Sequence, residues 1–426
     1  MPLGMSLGCA AVATRQSPES LARSRPRRPS SRRAATISQR AGGSTSAELV
    51  ADLAHLRSLA PEWRELAATA SNPAADPAWV VAWLEHAARR PVAPRVVAVR
   101  DRGRLIGVAP FYVAGESGPI ADYALMGGGF GVRMEPLALP GREQEVATQF
   151  ALALASTSPR PDTITLGPTS KRADWIGLLQ ERWPARARGL LRHYRLRGEP
   201  AIVLREPTFE AWLDTLGAKT RRNLRRERRL FERSGGRVRW STSAALRKDA
   251  EAFARLHRAR WQDRGESRLV ALAGRLPDWL EALGRERVDR GGFRLCVLEA
   301  DGAPICADLR LIAGEESAGV NIGWDQRYAR VAPGKLAIVE AVRDAYEAGC
   351  RRVGLGFGEH PYKLIFANAC EPISWSVFIP SSRRIAYTYA RVLPLLAREK
   401  AREDAERLLP PRWFQALRGA RRKLRV

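Results

Sequence analysis

The sequence predicts an α+β protein made of two copies of one helix-and-sheet unit, and three observations predict it. A hairpin pattern occurs twice at an offset of 199 residues, a Pro- and Trp-bearing helix start precedes each hairpin, and the second hairpin is followed by strand, helix and strand. The first hairpin reads Arg95–Arg100, a tight turn at Asp101-Arg-Gly103, and the returning strand Arg104–Val113. The second reads Arg294–Glu299, Ala300-Asp-Gly302 and Ala303–Ile312, so that Arg95 maps onto Arg294, Gly103 onto Gly302 and Ile106 onto Ile305 without a gap. A glycine is expected in any hairpin turn, so the gapless run of matches carries the argument for a duplication. The helix starts are Pro77-Ala-Trp79 and Pro277-Asp-Trp279.

Taken in order, residues 1–45 are rich in Ser, Arg, Ala and Gly without a sustained apolar period, and are expected to be disordered. Met1–Thr14 is mildly apolar but lacks the positive start of a secretory signal, and a misassigned start codon explains the segment as well as a targeting role does. Order is expected to begin near Ala47 with a helix. A second helix follows Asp76-Pro77, where Asp caps and Pro occupies the first turn, with Trp79, Trp83 and Leu84 on one face. After the second hairpin come an alternating strand, Gly319–Asp325, and a loop to Pro333-Gly334. An amphipathic helix then carries Leu336, Val339, Val342 and Tyr346 on one face and ends near Gly349. Strands at Arg352–Gly356 and Ile373–Ile379 complete the unit. This divides the chain into 1–45, a first domain 46–205, a second domain 206–380 with a basic helix at 217–234, and basic amphipathic helices at 381–426.

The chain has 426 residues and is 45% hydrophobic, enough for one large core or two ordinary ones. The apolar stretch around Leu393–Leu396 is broken by Arg well short of a membrane span. Five scattered cysteines make neither a disulfide framework nor a C-x-x-C metal or redox site, so a reducing cytoplasm and no metal are expected. The formal charge is +26, and it is concentrated in residues 1–45, Lys219–Leu230 and 381–426. Such a surplus suits anionic partners; because only seven of the 71 bases are Lys, a GC-rich genome explains part of it.

Helix, antiparallel hairpin, third strand, loop into a helix and parallel strand is the order of the acetyl-CoA-dependent GNAT N-acetyltransferases. That order is combined here with Lys219-Thr-Arg-Arg-Asn-Leu-Arg-Arg226, Leu256-His-Arg-Ala-Arg-Trp261 and Gly358-Glu-His-Pro-Tyr-Lys363. The combination resembles the tandem-GNAT proteins grouped with CelD-type acetyltransferases of cellulose and exopolysaccharide biosynthesis and, more distantly, the FemAB aminoacyltransferases, over roughly residues 50–380. The resemblance implies tandem GNAT-like domains, each a mixed, mostly antiparallel sheet flanked by helices. It also implies an acyltransferase using acetyl-CoA or another acyl-CoA, with a sugar or cell-envelope precursor as acceptor. A FemAB-like enzyme would take aminoacyl-tRNA instead, and a non-catalytic anion-binding module is the reading from another class. The pyrophosphate loop of the family, Q/R-x-x-G-x-G/A, reads Arg330-Val-Ala-Pro333-Gly334-Lys335 here: Pro removes an amide donor and Lys replaces the small last residue. Arg330, Gly334 and Lys335 are the candidate donor-binding residues. In the first copy, Gly127-Gly-Gly-Phe-Gly131 either lines a ligand or simply makes a sharp turn, and Val132-Arg133-Met134 stands where CelD-like sequences carry Asp-Tyr.

Acyl transfer needs a base for the acceptor and a proton for the leaving group. Glu359 and His360 follow a strand and are the candidate bases, Tyr362 is the candidate acid, and Asp325, at another strand end, is a further catalytic candidate. Each has a bland counterpart, such as a loop histidine bonded to backbone or a packed tyrosine. Arg222, Arg225 and Arg226, with Arg229, make a stripe on the basic helix, with Leu224 and Phe231 on another face. Like charges at that spacing repel, which favours an anionic ligand over a purely structural role. Arg260 and Lys363 are added as substrate contacts. Only Phe231 interrupts the bases with an aromatic ring, which argues against DNA. The stretch 381–426, with Leu393, Leu396, Leu408, Trp413, Phe414 and Leu417, suits peripheral membrane contact or docking on its own domain equally.

Overall fold

The structure, a computed structural model, describes residues 44–88, 92–114, 119–170, 173–184, 189–261 and 267–408. Of the expected disorder of residues 1–45, residues 1–43 lie outside the described residues, as does the face bearing Trp413, Phe414 and Leu417; Thr45, by contrast, is buried at the start of β1. The first half contains β1 (Thr45–Val50), α1 (Leu53–Thr69), α2 (Pro77–Ala82), β2 (Ala93–Asp101), β3 (Arg104–Ala114), β4 (Asp122–Leu125), β5 (Leu137–Ala138), α3 (Glu143–Ala155), β6 (Thr163–Ser170), α4 (Trp175–Arg182) and β7 (Leu190–Val203). The second begins with α5 (Phe209–Thr215), α6 (Ala218–Arg233), β8 (Arg237–Trp240), α7 (Leu246–Trp261), α8 (Leu276–Arg285), β9 (Phe293–Ala300) and β10 (Ala303–Ala313). It continues with β11 (Glu316–Trp324), α9 (Pro333–Glu347), β12 (Arg352–Gly354), α10 (Pro361–Leu364), β13 (Ala369–Ile379) and α11 (Ile385–Leu408).

Both hairpins form, and they match down to an irregularity. Arg102 and Gly103 at the first turn have φ of 48° and 84°, and Asp301 and Gly302 at the second have 50° and 73°. Turns with two positive φ values match the twist of the strands they join. Ile106 and Ile305, the residues paired by the 199-residue offset, are each the extra residue of a β-bulge.

All thirteen strands form one sheet, in the order β1-β2-β3-β4-β6-β13-β7-β12-β11-β10-β9-β8, with β5 on β3. Read inward from either end, the order is the same: an edge strand, a hairpin, a third strand, a strand parallel to it, then a long central strand. The two parallel pairs are β4–β6 and β11–β12; the other pairings are antiparallel. The central strands are exchanged. β13 of the second half pairs with β6, and β7 of the first pairs with β12. This is a tandem GNAT-like α+β fold with a continuous, mostly antiparallel sheet flanked by helices.

Trp79 and Trp279, the paired helix-start residues, meet edge to face with ring centroids 4.9 Å apart. Their core is shared between the halves, joining Leu56 and Trp63 of α1 with Phe253 of α7 and Leu295 and Val297 of β9. The helix expected from Ala47 is instead a strand. β1 pairs with β2 from Thr45 opposite Asp101 to Val50 opposite Val96, and the helix starts only after Asp52, whose side chain accepts from the His55 amide. Asp76 caps α2 as anticipated, accepting from the Ala78 amide at 2.8 Å. In α11, Val392 and Leu396 are buried in a cluster with Tyr194, Val377 and Ile379, so the apolar face of 385–396 is covered by its own sheet, while Leu408 is exposed. Among the described residues no helix is long and apolar enough to cross a membrane.

Candidate active site

β11 and β12 run side by side only over Glu316–Ala318 and Arg352–Gly354. Past that point the chain after β12 stays with β7: the Leu355 amide donates to the Pro200 carbonyl and the Gly358 amide to the Gly198 carbonyl, both at 2.9 Å. β11 meanwhile follows β10 as far as Trp324 opposite Cys306. The strands therefore part, and residues 319–324 face 355–358 across a cleft. The glycine cluster of the first half reaches its edge. A Cβ on Gly131, where φ is +100°, would collide with the Val320 carbonyl, so this approach requires glycine.

Two charged residues on β10 hold the parting point. Arg310 is 2% exposed and Asp308 5% exposed. The Arg310 guanidinium donates to the Ser317 hydroxyl and carbonyl, both at 3.0 Å, and to the Gly354 carbonyl at 2.8 Å, tying β10 to the last paired residues of β11 and β12. Its remaining nitrogen lies 3.5 Å from the Asp308 carboxylate. Burial pushes the Asp308 carboxyl up to about 6, with Arg310 and then Lys363 pulling it back. Sequence reasoning missed this pair. Its signal is two charges at alternate positions, hence on one face, of an otherwise apolar strand. In the first half the positions 199 residues earlier hold Ala109 and Phe111, both buried.

The loop after β12 carries four of the anticipated residues. Glu359 is exposed, lies over Gly198 and accepts from the Cys370 thiol at 3.8 Å. His360 and Tyr362 stack with centroids 6.0 Å apart and planes 17° from parallel. Lys363 differs from expectation: it is 6% exposed, and its ammonium donates to the carbonyls of Gly356 at 3.0 Å and Phe357 at 2.8 Å, bracing the cleft wall instead of gripping an anion at the surface. Asp325 caps the 3-10 turn Gln326–Val331 and pairs with Arg327 at 2.6 Å; the hydrogen bonds from that side chain hold its carboxyl below the ordinary range. The Asp325 side chain holds this turn.

At the N-terminus of α9, Ala332 has φ of 48°, no side chain caps the helix, and Pro333 brings no amide. The Lys335 amide turns back to the Ala332 carbonyl at 2.9 Å, leaving Gly334 as the amide directed outward. Arg330 beside it is exposed. Arg260 lies over Trp324, 4.6 Å from the ring centroid, and that ring sits 3.7 Å from where a Gly334 Cβ would be, so Arg260, Trp324 and Gly334 come together. The Lys335 side chain is committed elsewhere: it pairs at 2.6 Å with Glu227 of α6. One amide with flanking arginines suits a single phosphate and is a reduced form of the amide cradle expected for the pyrophosphate of CoA. Lys335→Ala is expected to lower stability by about 1–3 kcal/mol by stranding the buried Glu227, measurable as a shift in urea midpoint.

Arg222, Arg225, Arg226 and Arg229 are exposed and have no hydrogen bond or ion pair among the described residues. They lie opposite the face bearing buried Leu224, Glu227 and Phe231. α6 packs its buried face against the 3-10 turn and α9, so the stripe faces away from those elements.

Arg133, unremarkable in sequence, is central to the junction. It pairs with Glu199 at 3.0 Å and Glu316 at 2.6 Å, while Arg352 pairs with Glu316 at 2.5 Å and Glu371 at 3.2 Å. These charges come from both halves and sit where the strands are exchanged. Nearby, burial pushes the Glu135 carboxyl up to about 7. Among the described residues no group of His, Cys, Asp and Glu is placed to hold a metal ion.

Residues 218–364, which include the cleft, match the acetyltransferase (GNAT) domain family, and this match supports an acyltransferase. Among solved structures, the chain is similar to the C-terminal domain of a protein described as a candidate lysylphosphatidylglycerol synthetase from Agrobacterium fabrum. The two share 12% identity with a TM-score of 0.50, over 80% of this chain and 96% of that one. It is also similar to FemX, at 11% identity and a TM-score of 0.50, over 70% and 90%. At such identities the likeness is one of fold. No curated protein matches the sequence.

Proposed function

We propose that the chain moves an acyl group, acetyl from acetyl-CoA in the first instance, onto an amine or hydroxyl of a sugar or of a cell-envelope or exopolysaccharide precursor in the cytoplasm. Transfer is assigned to the cleft where β11 and β12 part. The supporting observation is the Asp308–Arg310 pair at the root of that cleft, in the half whose sequence matches the acetyltransferase domain. Its counterparts, Ala109 and Phe111, make the first half a shaping element. Glu359 or His360 takes the proton of the acceptor, and Tyr362 supplies one to the leaving group. The stripe of Arg222, Arg225 and Arg226 draws an anionic acceptor towards the surface beside α9.

A second reading, transfer from aminoacyl-tRNA, is favoured by the single outward amide at Gly334. The names of the two fold relatives, FemX and a lysylphosphatidylglycerol synthetase, are consistent with it. Incubating the purified protein with acetyl-CoA and, separately, with aminoacyl-tRNA discriminates. A rise in melting temperature with acetyl-CoA supports the first; a rise with tRNA and none with any acyl-CoA moves the assignment to the second.

The double change Arg222→Ala with Arg226→Ala is expected to leave the melting temperature unchanged, because among the described residues neither side chain has a hydrogen bond or ion pair to lose. It should raise the KM of an anionic acceptor and flatten its dependence on salt. An unchanged KM with a lowered melting temperature would make the stripe structural.

A further inference from the structure

The first half has a cleft of its own. β4 and β6 pair over Asp122–Ala124 and Thr163–Thr165 and then part, as β11 and β12 do. The opening is walled by Trp83, Tyr112, Tyr194 and Trp375, with Thr165 and the backbone at Gly128 and Gly167, and has room for only a few water-sized groups. Among the described residues lining it, one is a cation. Arg268, from the second half, lies across Gly129, where even a Cβ would sit 3.2 Å from the guanidinium carbon.

Among the described residues Arg268 has no hydrogen bond and no ion pair. This sets it apart from Arg133, Arg310 and Arg352, each of which is tied to named partners. The acidic group behind the wall is Asp122, which accepts from Thr163 at 2.6 Å and Thr165 at 3.0 Å on one oxygen; its other oxygen, buried, has no partner among the described residues. Burial raises its carboxyl, so its negative charge opposes an anion in the pocket less than a surface aspartate would.

A planar guanidinium fork pairs with a carboxylate through two parallel hydrogen bonds, and flat aromatic walls accept the apolar remainder of a small acid. We propose that this pocket is a binding site for a small carboxylate, either a free acid of acetate or propionate size or the carboxylate terminus of a longer ligand. The assignment stands apart from the transfer reaction: it rests on the first half and on Arg268, and is read by binding alone.

Calorimetric titration of the full chain with acetate, propionate and N-acetylglycine, with acetamide and inorganic phosphate as controls, tests it. Saturable binding of a carboxylate, at least tenfold weaker in Arg268→Ala and intermediate in Arg268→Lys, is expected, with melting temperatures unchanged because Arg268 has no hydrogen bond or ion pair to lose among the described residues. Acetate without N-acetylglycine identifies a free acid, and the reverse identifies a terminus. Absence of saturation by every carboxylate, equal binding of acetamide, preference for phosphate, or unaltered binding in both Arg268 variants overturns the proposal.

Discussion

Turnover is expected to fall by about 10²–10⁴ in whichever of Glu359→Gln and His360→Ala removes the base, with donor affinity nearly unchanged. The loop is fixed by contacts that neither substitution touches: the Gly358 amide on the Gly198 carbonyl, the Lys363 ammonium on Gly356 and Phe357, and the Lys363 amide on the His360 carbonyl at 2.9 Å. A fall in rate in these variants therefore reports chemistry and not a displaced loop. The pH profile separates the two. A working base imposes a decline in rate on the acid side, and that limb disappears in the variant lacking it. Tyr362→Phe, which keeps the ring stacked on His360, flattens the alkaline limb if the phenol is the acid. Kinetic silence of all three would remove the loop from the mechanism.

The largest stability effect is expected from Arg310→Leu, at about 3–5 kcal/mol, the usual consequence of removing one partner of a buried ion pair. The change strands the Asp308 carboxylate together with the Ser317 and Gly354 acceptors. The effect depends on pH. The folded carboxyl is already raised to about 6 from an ordinary 3.8, so its charged form is disfavoured by folding, and losing Arg310 raises it further. Below about pH 4 the group is neutral in both states and the variant loses only hydrogen bonds; as pH rises through 6 the charge term adds to the loss. Urea unfolding at pH 5 and pH 8 should therefore show a greater deficit at the higher pH. An equal deficit at both would mean that Asp308 is not the group left unpaired.

The hairpins, the Asp76 cap and the helix at α9 were legible because each depends on local periodicity or turn chemistry; the bulges at Ile106 and Ile305 were not read. The exchange of β7 and β13 was not. β7 carries Arg192, His193, Arg195, Arg197 and Glu199, which erase the apolar alternation of a strand even though it lies at the centre of the sheet. β4 has only four residues, too few to show a period. Lys335 and Lys363 read in sequence as donor and substrate contacts, yet both bind protein groups: Glu227 lies 108 positions from Lys335, and the carbonyls of Gly356 and Phe357 are reached by Lys363 because the chain turns back through α10. Arg133 was passed over because its partners, Glu199, Glu316 and Glu371, lie on three separate strands.

The central claim is that the second half transfers and the first half shapes. It is tested most directly by placing the first half's own residues at the root of the second cleft, as Asp308→Ala with Arg310→Phe. Removing both charges together leaves no stranded ion, and apolar replacement of a buried pair is often close to neutral for folding. Turnover and melting temperature should be measured on the same preparation. The account predicts a folded protein whose turnover falls by about 10² or more, as expected when the parting of β11 and β12 is displaced by an ångström or so. A folded double variant with undiminished turnover would contradict it and would place the transfer centre elsewhere in the chain.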